Sequence, residues 1–140
     1  MATLRVDIVS PTGSVFKGRA RGVRAPGVEG SFEVRFNHAP MIAAFDVGPI
    51  IVTTASGDRV VFATTGGFLE VLDNRVTVLA ETAEPATEID VERAREAEAR
   101  ALAALADASP EERERRQAAA ERARNRLRIA MSTVGSQSST

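Results

Sequence analysis

The 140-residue sequence contains no cysteine, tryptophan or tyrosine, and its only histidine is His38. Without cysteine the chain can form neither a disulfide bond nor a thiolate metal site. A catalytic triad would need His38 together with a hydroxyl and an acid, and no nucleophile-elbow pattern is present. His38 also has no second histidine or acid two to four residues away, so a local metal-ligand spacing is missing. The residue inventory therefore argues against catalysis by the isolated chain.

Long apolar runs and a charge excess are also missing. No apolar run approaches the 18 residues that a membrane-spanning helix needs. The first four residues enter a strand pattern without the basic and apolar regions of a signal peptide. With 18 Lys and Arg against 19 Asp and Glu, the formal net charge is −1. We therefore expect a chain that has no classical export signal and does not bind nucleic acid.

Residues 1–86 contain all six Phe and nine of the ten Gly. Short apolar or alternating runs follow one another there, and clusters of Gly, Pro, Asn, Asp and Ser separate them. Eight or more short strands with turns at this spacing indicate a β-sandwich or a flattened barrel. Residues 81–86, which include Pro85, are predicted to be a linker. The predicted strands are 4–9, 15–25, 32–36, 41–45, 50–54, 59–64, 66–72 and 75–80.

Residues 87–140 lack aromatic residues and are rich in Ala, Arg and Glu. Thr87 to Asp90 resembles a capping box, with Asp in place of the usual Glu or Gln. Ser109, Pro110 and Glu112 fit a second helix start, with Ser as the N-cap, Pro at the first helical position and Glu at the third. These two signals predict two helices joined by a turn.

Each predicted helix has one stripe of small residues at alternating steps of three and four. Alanine removes only about a third of the apolar area that leucine would, and burial contributes roughly 25 cal/mol per Å². A hairpin whose two helices pack through such stripes is predicted to be weakly stabilised and able to open. The alternative is a static hairpin that caps the β domain. The stripes are Ala94, Ala97, Ala101, Ala104 and Ala108 in the first helix, and Ala120, Ala123, Leu127, Ala130 and Val134 in the second.

Four arginines of the helical half can meet in an antiparallel hairpin, because Arg93 and Arg100 are seven apart and Arg122 and Arg126 are four apart. With Asp90 nearby, they would form a pocket able to hold phosphates, and the acid would suit a ribose or an adenine amine. The alternative is a solvated, salt-bridged face. The neighbouring acids that could pair with these arginines are Glu92, Glu96, Glu98 and Glu121.

Several segments together give the sequence a family resemblance. They are Pro26–Gly30, Asn37–Pro40, Gly66–Val71, Val76–Ala80 and Ile89–Ala94. In this combination and order, the chain resembles the epsilon subunit of bacterial and chloroplast F-type ATP synthases. The resemblance implies an α+β fold in which a β-sandwich of about ten strands, residues 1–86, is followed by an antiparallel two-helix hairpin, residues 87–140.

The resemblance also implies a non-catalytic role in the central rotor of a proton-translocating ATP synthase. The sandwich would bind the gamma subunit and the c-ring. The hairpin would switch between a compact state and an extended state that enters the alpha/beta catalytic head and inhibits ATP hydrolysis. The expected location is the cytoplasmic face of the bacterial inner membrane, as a peripheral subunit held there by the complex.

In some bacterial members the Ile-Asp-x-x-Arg-Ala motif contributes to an ATP site. By similarity, the site residues here are Ile89, Asp90, Arg93, Ala94, Arg122 and Arg126. No cofactor would be required, and ATP would act as a regulatory ligand. The expected interface residues are Glu29, Ser31 and His38, although the loop from Gly30 to His38 departs from the usual Gly-Glu-Leu-Gly-Ile-Leu-Pro-Gly-His.

Three hypotheses follow from the sequence. In the first, the chain is a rotor subunit whose helices regulate ATP hydrolysis. In the second, the same subunit carries a permanently folded hairpin and only couples its partners. In the third, which is unrelated to the family, a small β domain senses nucleotide alone and binds ATP without any partner.

Overall fold

The computed structural model describes residues 2–138, with side chains from Ala2 to Ser132. The chain divides into two compact units, Met1–Pro85 and Ala86–Thr140. The first unit consists of the strands β1 Leu4–Ser10, β2 Gly13–Gly27, β3 Gly30–Arg35, β4 Met41–Phe45, β5 Gly48–Thr54, β6 Arg59–Thr64, β7 Gly67–Leu72, β8 Arg75–Ala80 and β9 Ala83–Pro85. The second contains a 3₁₀ turn at Ala86–Glu88 and the helices α1 Val91–Ala106 and α2 Arg113–Ser138.

The strands of the first unit are arranged around a closed ring. In the order β1-β8-β7-β4-β2 each strand pairs with the next, and β2 pairs with β1 again. The pairing of β1 with β8 is parallel, whereas the other pairings in the ring are antiparallel. β3 pairs with β2, and β5, β6 and β9 continue outward from β2. The 15-residue β2 thus takes part in both layers of the sandwich.

Alternating side chains of both layers form one apolar core. In β1, Leu4, Val6 and Ile8 are fully buried while Arg5 is exposed, as a period of two requires. The ring of Phe62 in β6 contacts the ring of Phe16 in β2 edge to face, with ring centroids 5.7 Å apart. The predicted β-sandwich is confirmed. Its other core side chains include Val23, Val34, Phe45, Ile50, Val52, Leu69, Val71, Val76 and Val78.

Turn chemistry fixes the register of two hairpins. Asp73 and Asn74 both have positive φ, 49° and 59°, which is the two-residue turn that matches the twist of paired strands. At the turn between β2 and β3, a Cβ on Gly27 would lie 2.6 Å from the carbonyl oxygen of Gly30. Only glycine therefore fits at the start of that turn.

One expectation for the β unit was wrong. The segment 81–86, predicted to be a linker, contains β9, whose residues pair antiparallel with β6 from Phe62↔Pro85 to Thr64↔Ala83. A proline is tolerated there because β9 is the edge of the sheet, where a missing N–H breaks no ladder. With β9 included, the described residues form nine strands, close to the ten expected.

The two helix starts differ in how well the sequence signalled them. Thr87 was expected to cap α1, but it lies in the 3₁₀ turn, and the N-cap is Asp90. An Asp oxygen reaches the orphan N–H three residues on, which makes Asp90 the better cap. At the second start, Glu112 accepts hydrogen bonds from the backbone N–H and the hydroxyl of Ser109, at 3.3 and 2.8 Å. α2 begins at Arg113 and Pro110 lies in the turn before it, so the predicted start, with Ser109 as N-cap and Pro110 as the first helical residue, was three residues too early. The hydroxyl of Ser109 donates to Glu112 instead of accepting a helix N–H.

α1 and α2 contact each other as an antiparallel pair. Arg116 Nη1 donates to the carbonyl oxygen of Ala104 at 2.7 Å, and Arg124 Nε lies 3.9 Å from Glu98 Oε2. In both contacts the two residue numbers add up to about 221, so any two residues of α1 and α2 whose numbers have this sum face each other. This register brings the predicted stripes together at Ala94/Leu127, Ala97/Ala123 and Ala101/Ala120, of which Ala94, Ala120 and Leu127 are buried. The side chain of Val134, the last stripe position, lies outside the described side chains.

Among the described residues, no helix combines the length and the apolar character needed to cross a membrane. The same residues contain no group of three or more His, Asp or Glu placed to hold a metal ion.

Candidate functional site

The segment from Ile89 to Ala94 forms the start of α1. Asp90 Oδ1 accepts a hydrogen bond from the backbone N–H of Arg93 at 3.0 Å. Ile89 precedes the cap and Ala94 is the fourth helical residue, and both are buried. These are the two apolar positions of a hydrophobic staple. The Ile-Asp-x-x-Arg-Ala pattern therefore encodes a complete helix start, whatever ligand it also contacts.

The helix register places the candidate arginines at two levels. The residue that faces Arg93 is near position 128, so Arg126 lies about two residues, or ~3 Å along the axis, from that level. Arg122 lies at the level of Arg100, about 10 Å away from Arg93 along the axis. The structure thus brings Arg93 and Arg126 to one end of the hairpin, together with Asp90, and leaves Arg122 with Arg100 further along.

The two flanks of the helix seam differ in charge. Each of Arg93, Arg100 and Arg126 comes directly before a seam residue, so all three occupy the same position of the heptad. In an antiparallel helix pair, residues at this position of the two helices lie on the same flank of the seam. The ion pair between Glu98 and Arg124 occupies the opposite flank. Arg93, Arg100 and Arg122 are exposed, and none of them belongs to the ion pairs found among the described residues. Arg126 is half-buried and interacts with its surroundings.

The expected interface residues lie on two loops at opposite ends of β3. Glu29 is exposed at the tip of the β2–β3 hairpin, and Ser31 Oγ, at the start of β3, accepts a hydrogen bond from Arg24 Nε at 3.0 Å. His38 is half-buried in the β3–β4 loop, and its Nδ1 donates to the carbonyl oxygen of Ala39 at 2.8 Å. Glu29 is thus exposed at a hairpin tip, whereas Ser31 and His38 form hydrogen bonds within their own hairpin and loop.

An exposed apolar surface on the sandwich was not predicted. The strand registers place Val9, Leu79, Phe68 and Ala44 directly side by side across β1, β8, β7 and β4. Phe68 and Leu79 are 58% and 54% exposed, and Ile42, two residues before Ala44, is 73% exposed. Val9, Leu79, Phe68 and Ala44 are called the apolar row below. Large exposed apolar groups gathered in one patch indicate an interaction surface.

A signal for the apolar row was present in the sequence. In both 67–72 and 75–80, apolar residues occupy the two strand parities instead of one: Leu69 and Phe68 in the first, Val78 and Leu79 in the second. A strand with one solvated face should alternate apolar and polar residues. The break in alternation points to a second covered face, which strand prediction alone did not assign to any partner.

Comparisons with known families cover nearly the whole chain. A model of the β-sandwich domain of the ATP synthase delta/epsilon chain matches residues 3–86. A model of the long alpha-helix domain of the same chain matches residues 87–131.

Individual relatives agree with the family models. An ATP synthase epsilon chain of Salinibacter ruber (strain DSM 13855 / M31) is 66% identical over 99 residues, covering 65% of this chain and 66% of the relative. An ATP synthase epsilon chain of Anaeromyxobacter sp. (strain K) is 49% identical over 92 residues, covering 66% and 69%. The aligned segment therefore spans about two thirds of the relatives' length.

Two solved structures share the fold at low sequence identity. A chain in the Euglena gracilis mitochondrial ATP synthase, in an OSCP/F1/c-ring assembly, has a TM-score of 0.76 at 21% identity, covering 85% of this chain and 76% of that one. A chain in the central stalk/c-ring of the Tetrahymena thermophila mitochondrial ATP synthase has a TM-score of 0.57 at 16% identity, covering 91% and 96%. At these identities the likeness concerns the fold alone.

Proposed function

This chain belongs to the epsilon-chain family of ATP synthases and is a non-catalytic subunit of the central stalk, and we propose that its two units divide the work there. The β-sandwich docks on the gamma subunit and the c-ring. The hairpin regulates ATP hydrolysis by reaching the alpha/beta head. The complex holds the chain as a peripheral subunit at the cytoplasmic face of the bacterial inner membrane, in keeping with its bacterial relatives.

The observation that carries the docking role is the exposed apolar row. An isolated sandwich gains nothing from leaving Phe68 and Leu79 in water, because burial of such side chains contributes roughly 1.5–3 kcal/mol each. A stalk subunit that stays bound to its partner recovers this free energy at the interface. We assign the apolar row to the gamma subunit, and the hairpin tip at Glu29 with the loop at His38 to the c-ring.

The docking role is tested with a Phe68→Ser, Leu79→Ser double variant of the full chain. Affinity for the recombinant gamma subunit of the same organism is measured by calorimetry. We expect a loss of at least tenfold, because each removed anchor contributes more than about 1 kcal/mol at a well-packed interface. Leu102→Ser, on α1, provides the control, since Leu102 is also partly exposed but lies outside this surface. An unchanged affinity in the double variant would contradict this assignment.

The regulatory role depends on a hairpin that can separate. Six stripe residues face one another across the two helices, and all of them except Leu127 are alanines. Three of the six are no more than half-buried: Ala97, Ala101 and Ala123. Little apolar area therefore resists opening. Each helix has high intrinsic propensity, and Asp90 caps α1, so the helices can persist when the pair separates. This contrasts with the sandwich, whose core includes fully buried Leu, Ile, Val and Phe side chains.

A reversible crosslink tests whether opening matters. The register places Ala97 and Ala123 at the same level, and the chain has no cysteine that could compete. An Ala97→Cys, Ala123→Cys variant is oxidised, assembled with the other subunits, and assayed for ATP hydrolysis. We expect the locked chain to lose its inhibition and to regain it on reduction, whereas either single variant responds to neither treatment. Equal hydrolysis in the locked and reduced forms would leave the hairpin as a fixed coupling element.

For ATP as a regulatory ligand, the support is that Asp90, Arg93 and Arg126 lie at one end of the hairpin, whereas Arg122 lies about 10 Å further along the axis. ATP is titrated into the isolated full chain and into Arg93→Ala and Arg126→Ala variants. We expect both variants to bind at least tenfold more weakly, because a charge-assisted contact to phosphate is lost. Arg124→Ala is the control, since Arg124 lies on the opposite flank with Glu98. If the intact chain gives no binding heat, it has no ATP site, and the stand-alone sensor fails as well.

A further inference from the structure

Three arginines lie side by side on the outer face of β8, β1 and β2. Arg75 is directly opposite Arg5 in the β1–β8 pair, and Arg5 is directly opposite Arg19 in the β1–β2 pair. All three are exposed, and none belongs to an ion pair among the residues that the structure describes. They are called the arginine row below.

The arginine row is unfavourable for the isolated sheet. Neighbouring strands are ~4.8 Å apart, and like charges directly opposite each other destabilise a pair of strands. The acids closest in register, Asp7 and Glu70, lie one row further along the strands. Lys17 already faces Asp7, with its Nζ 3.9 Å from Oδ1. The sheet therefore carries a line of positive charge that its own side chains do not neutralise.

The arginine row shares its face with the apolar row. Arg75 and Leu79 are four residues apart on β8, so the two rows are separated by ~13 Å along the strand. The row between them contains Thr77, Asp7 and Glu70. The three arginines are exposed and lie in register across three strands. This shape matches a line of carboxylates on a protein surface better than a single small anion, which prefers donors converging from several sides.

We propose that the arginine row binds an acidic segment of the stalk partner that covers the apolar row, a step that depends on the docking role proposed above. The partner surface then has an apolar stripe for Phe68 and Leu79, with carboxylates ~13 Å away for Arg5, Arg19 and Arg75. The apolar contact supplies affinity. The charged contact steers the encounter and fixes which way round the sheet lies on its partner.

The test compares affinity for the recombinant gamma subunit at low and high salt, using the full chain. An Arg5→Ser, Arg19→Ser, Arg75→Ser variant removes the row and leaves the core intact. We expect binding roughly tenfold weaker than wild type at ~0.1 M salt, from three exposed pairs, with the difference vanishing near 1 M as the Debye length falls to about 3 Å. Arg59→Ser is the control, because Arg59 faces Thr53 in the β5–β6 pair, outside this face.

The outcomes separate the two proposals. If the serine variant binds like wild type at both salt concentrations while Phe68→Ser, Leu79→Ser binds weakly, the arginine row has no partner and the docking role stands. If both variants bind like wild type, both proposals are overturned. The triple variant should unfold at the same or a higher temperature than wild type, since it relieves repulsion, so weak binding is not explained by unfolding. Restored binding with lysine at the three positions supports charge as the cause.

Discussion

Asn37 and Asn74 hydrogen-bond to each other in both directions. The backbone N–H of Asn37 donates to Asn74 Oδ1 at 2.6 Å, and Asn74 Nδ2 donates to Asn37 Oδ1 at 3.2 Å. Both residues have positive φ, 65° and 59°, a conformation that asparagine tolerates better than most residues. The carbonyl oxygen of Asn74 also accepts from the N–H of Arg5 at 2.9 Å. The contact joins the loop that carries His38 to the turn between β7 and β8.

This contact predicts that Asn74→Gly destabilises the sandwich. Glycine keeps the positive φ but loses both amide hydrogen bonds, so we expect a loss of about 1–2 kcal/mol in the free energy of unfolding. Urea unfolding measures it. Asn74→Ala should be worse, because it adds backbone strain to the same loss. A Gly variant as stable as wild type would show that the amide pair contributes nothing.

Asp90→Ala and Asp90→Ser separate capping from ligand binding. Alanine removes the cap and should destabilise the hairpin by about 1 kcal/mol, whereas serine can still accept the Arg93 N–H and should cost little. Amide exchange in the first turn of α1 reports the cap, and ATP titration reports the site. If serine preserves helix protection and weakens ATP binding, the carboxylate contacts the ligand. If serine preserves both, Asp90 serves the helix alone.

The turn between α1 and α2 should loosen in acid. Hydrogen bonds from the side chain and backbone of Ser109, aided by the charges of Arg116 and Arg115, hold the pKa of Glu112 below its ordinary value of 4.5. The folded pKa is the lower one, so the stabilisation is complete above the unfolded pKa and is lost as pH falls through the folded pKa.

Amide exchange at Ser109 and Arg116, followed from neutral pH to below about 4.5, measures the loosening of this turn. A Glu112→Gln variant provides the comparison. It should exchange faster than wild type at neutral pH and show little further change in acid. The same acid response in both forms would rule out Glu112 as the cause.

Gly27→Ala should disturb the hairpin tip that presents Glu29. A Cβ there would lie 2.6 Å from the carbonyl oxygen of Gly30 and 2.8 Å from the ring of Phe32, and the carbonyl cannot rotate away as a side chain can. We expect about 1–3 kcal/mol of destabilisation by urea unfolding. Gly18→Ala is the matched control, since its Cβ would meet Phe16 at an ordinary 3.4 Å. Equal stability of the two variants would contradict the clash.

Local signals explain which parts of the fold the sequence predicted. Alternation with turn residues identified the strands from β1 to β8, because burial on one face of a sheet enforces a period of two. The Ser109–Glu112 pattern did mark a local contact, because the two residues are only three positions apart, but it placed the start of α2 three residues too early. β9 was missed because its pairing with β6 depends on residues about twenty positions away, and three residues with a proline have no strand pattern of their own.

The candidate sites were predicted unevenly for the same reason. The stripes predicted which face of each helix lies on the seam, but the levels of Arg93 and Arg122 depend on the length of the turn, which spacing within one helix does not give. The apolar row needs the register of four strands, and the arginine row needs that of three. In particular, Arg5 and Arg75 are 70 positions apart and meet only because β1 and β8 pair in parallel.

That parallel pairing also bears on how the chain is made. Since β1 is flanked by β2 and β8, it emerges from the ribosome about seventy residues before its second neighbour. Contacts so distant in sequence form slowly. The β-sandwich is therefore complete only after β8 has been made, whereas the two helices contact each other across a much shorter stretch of chain.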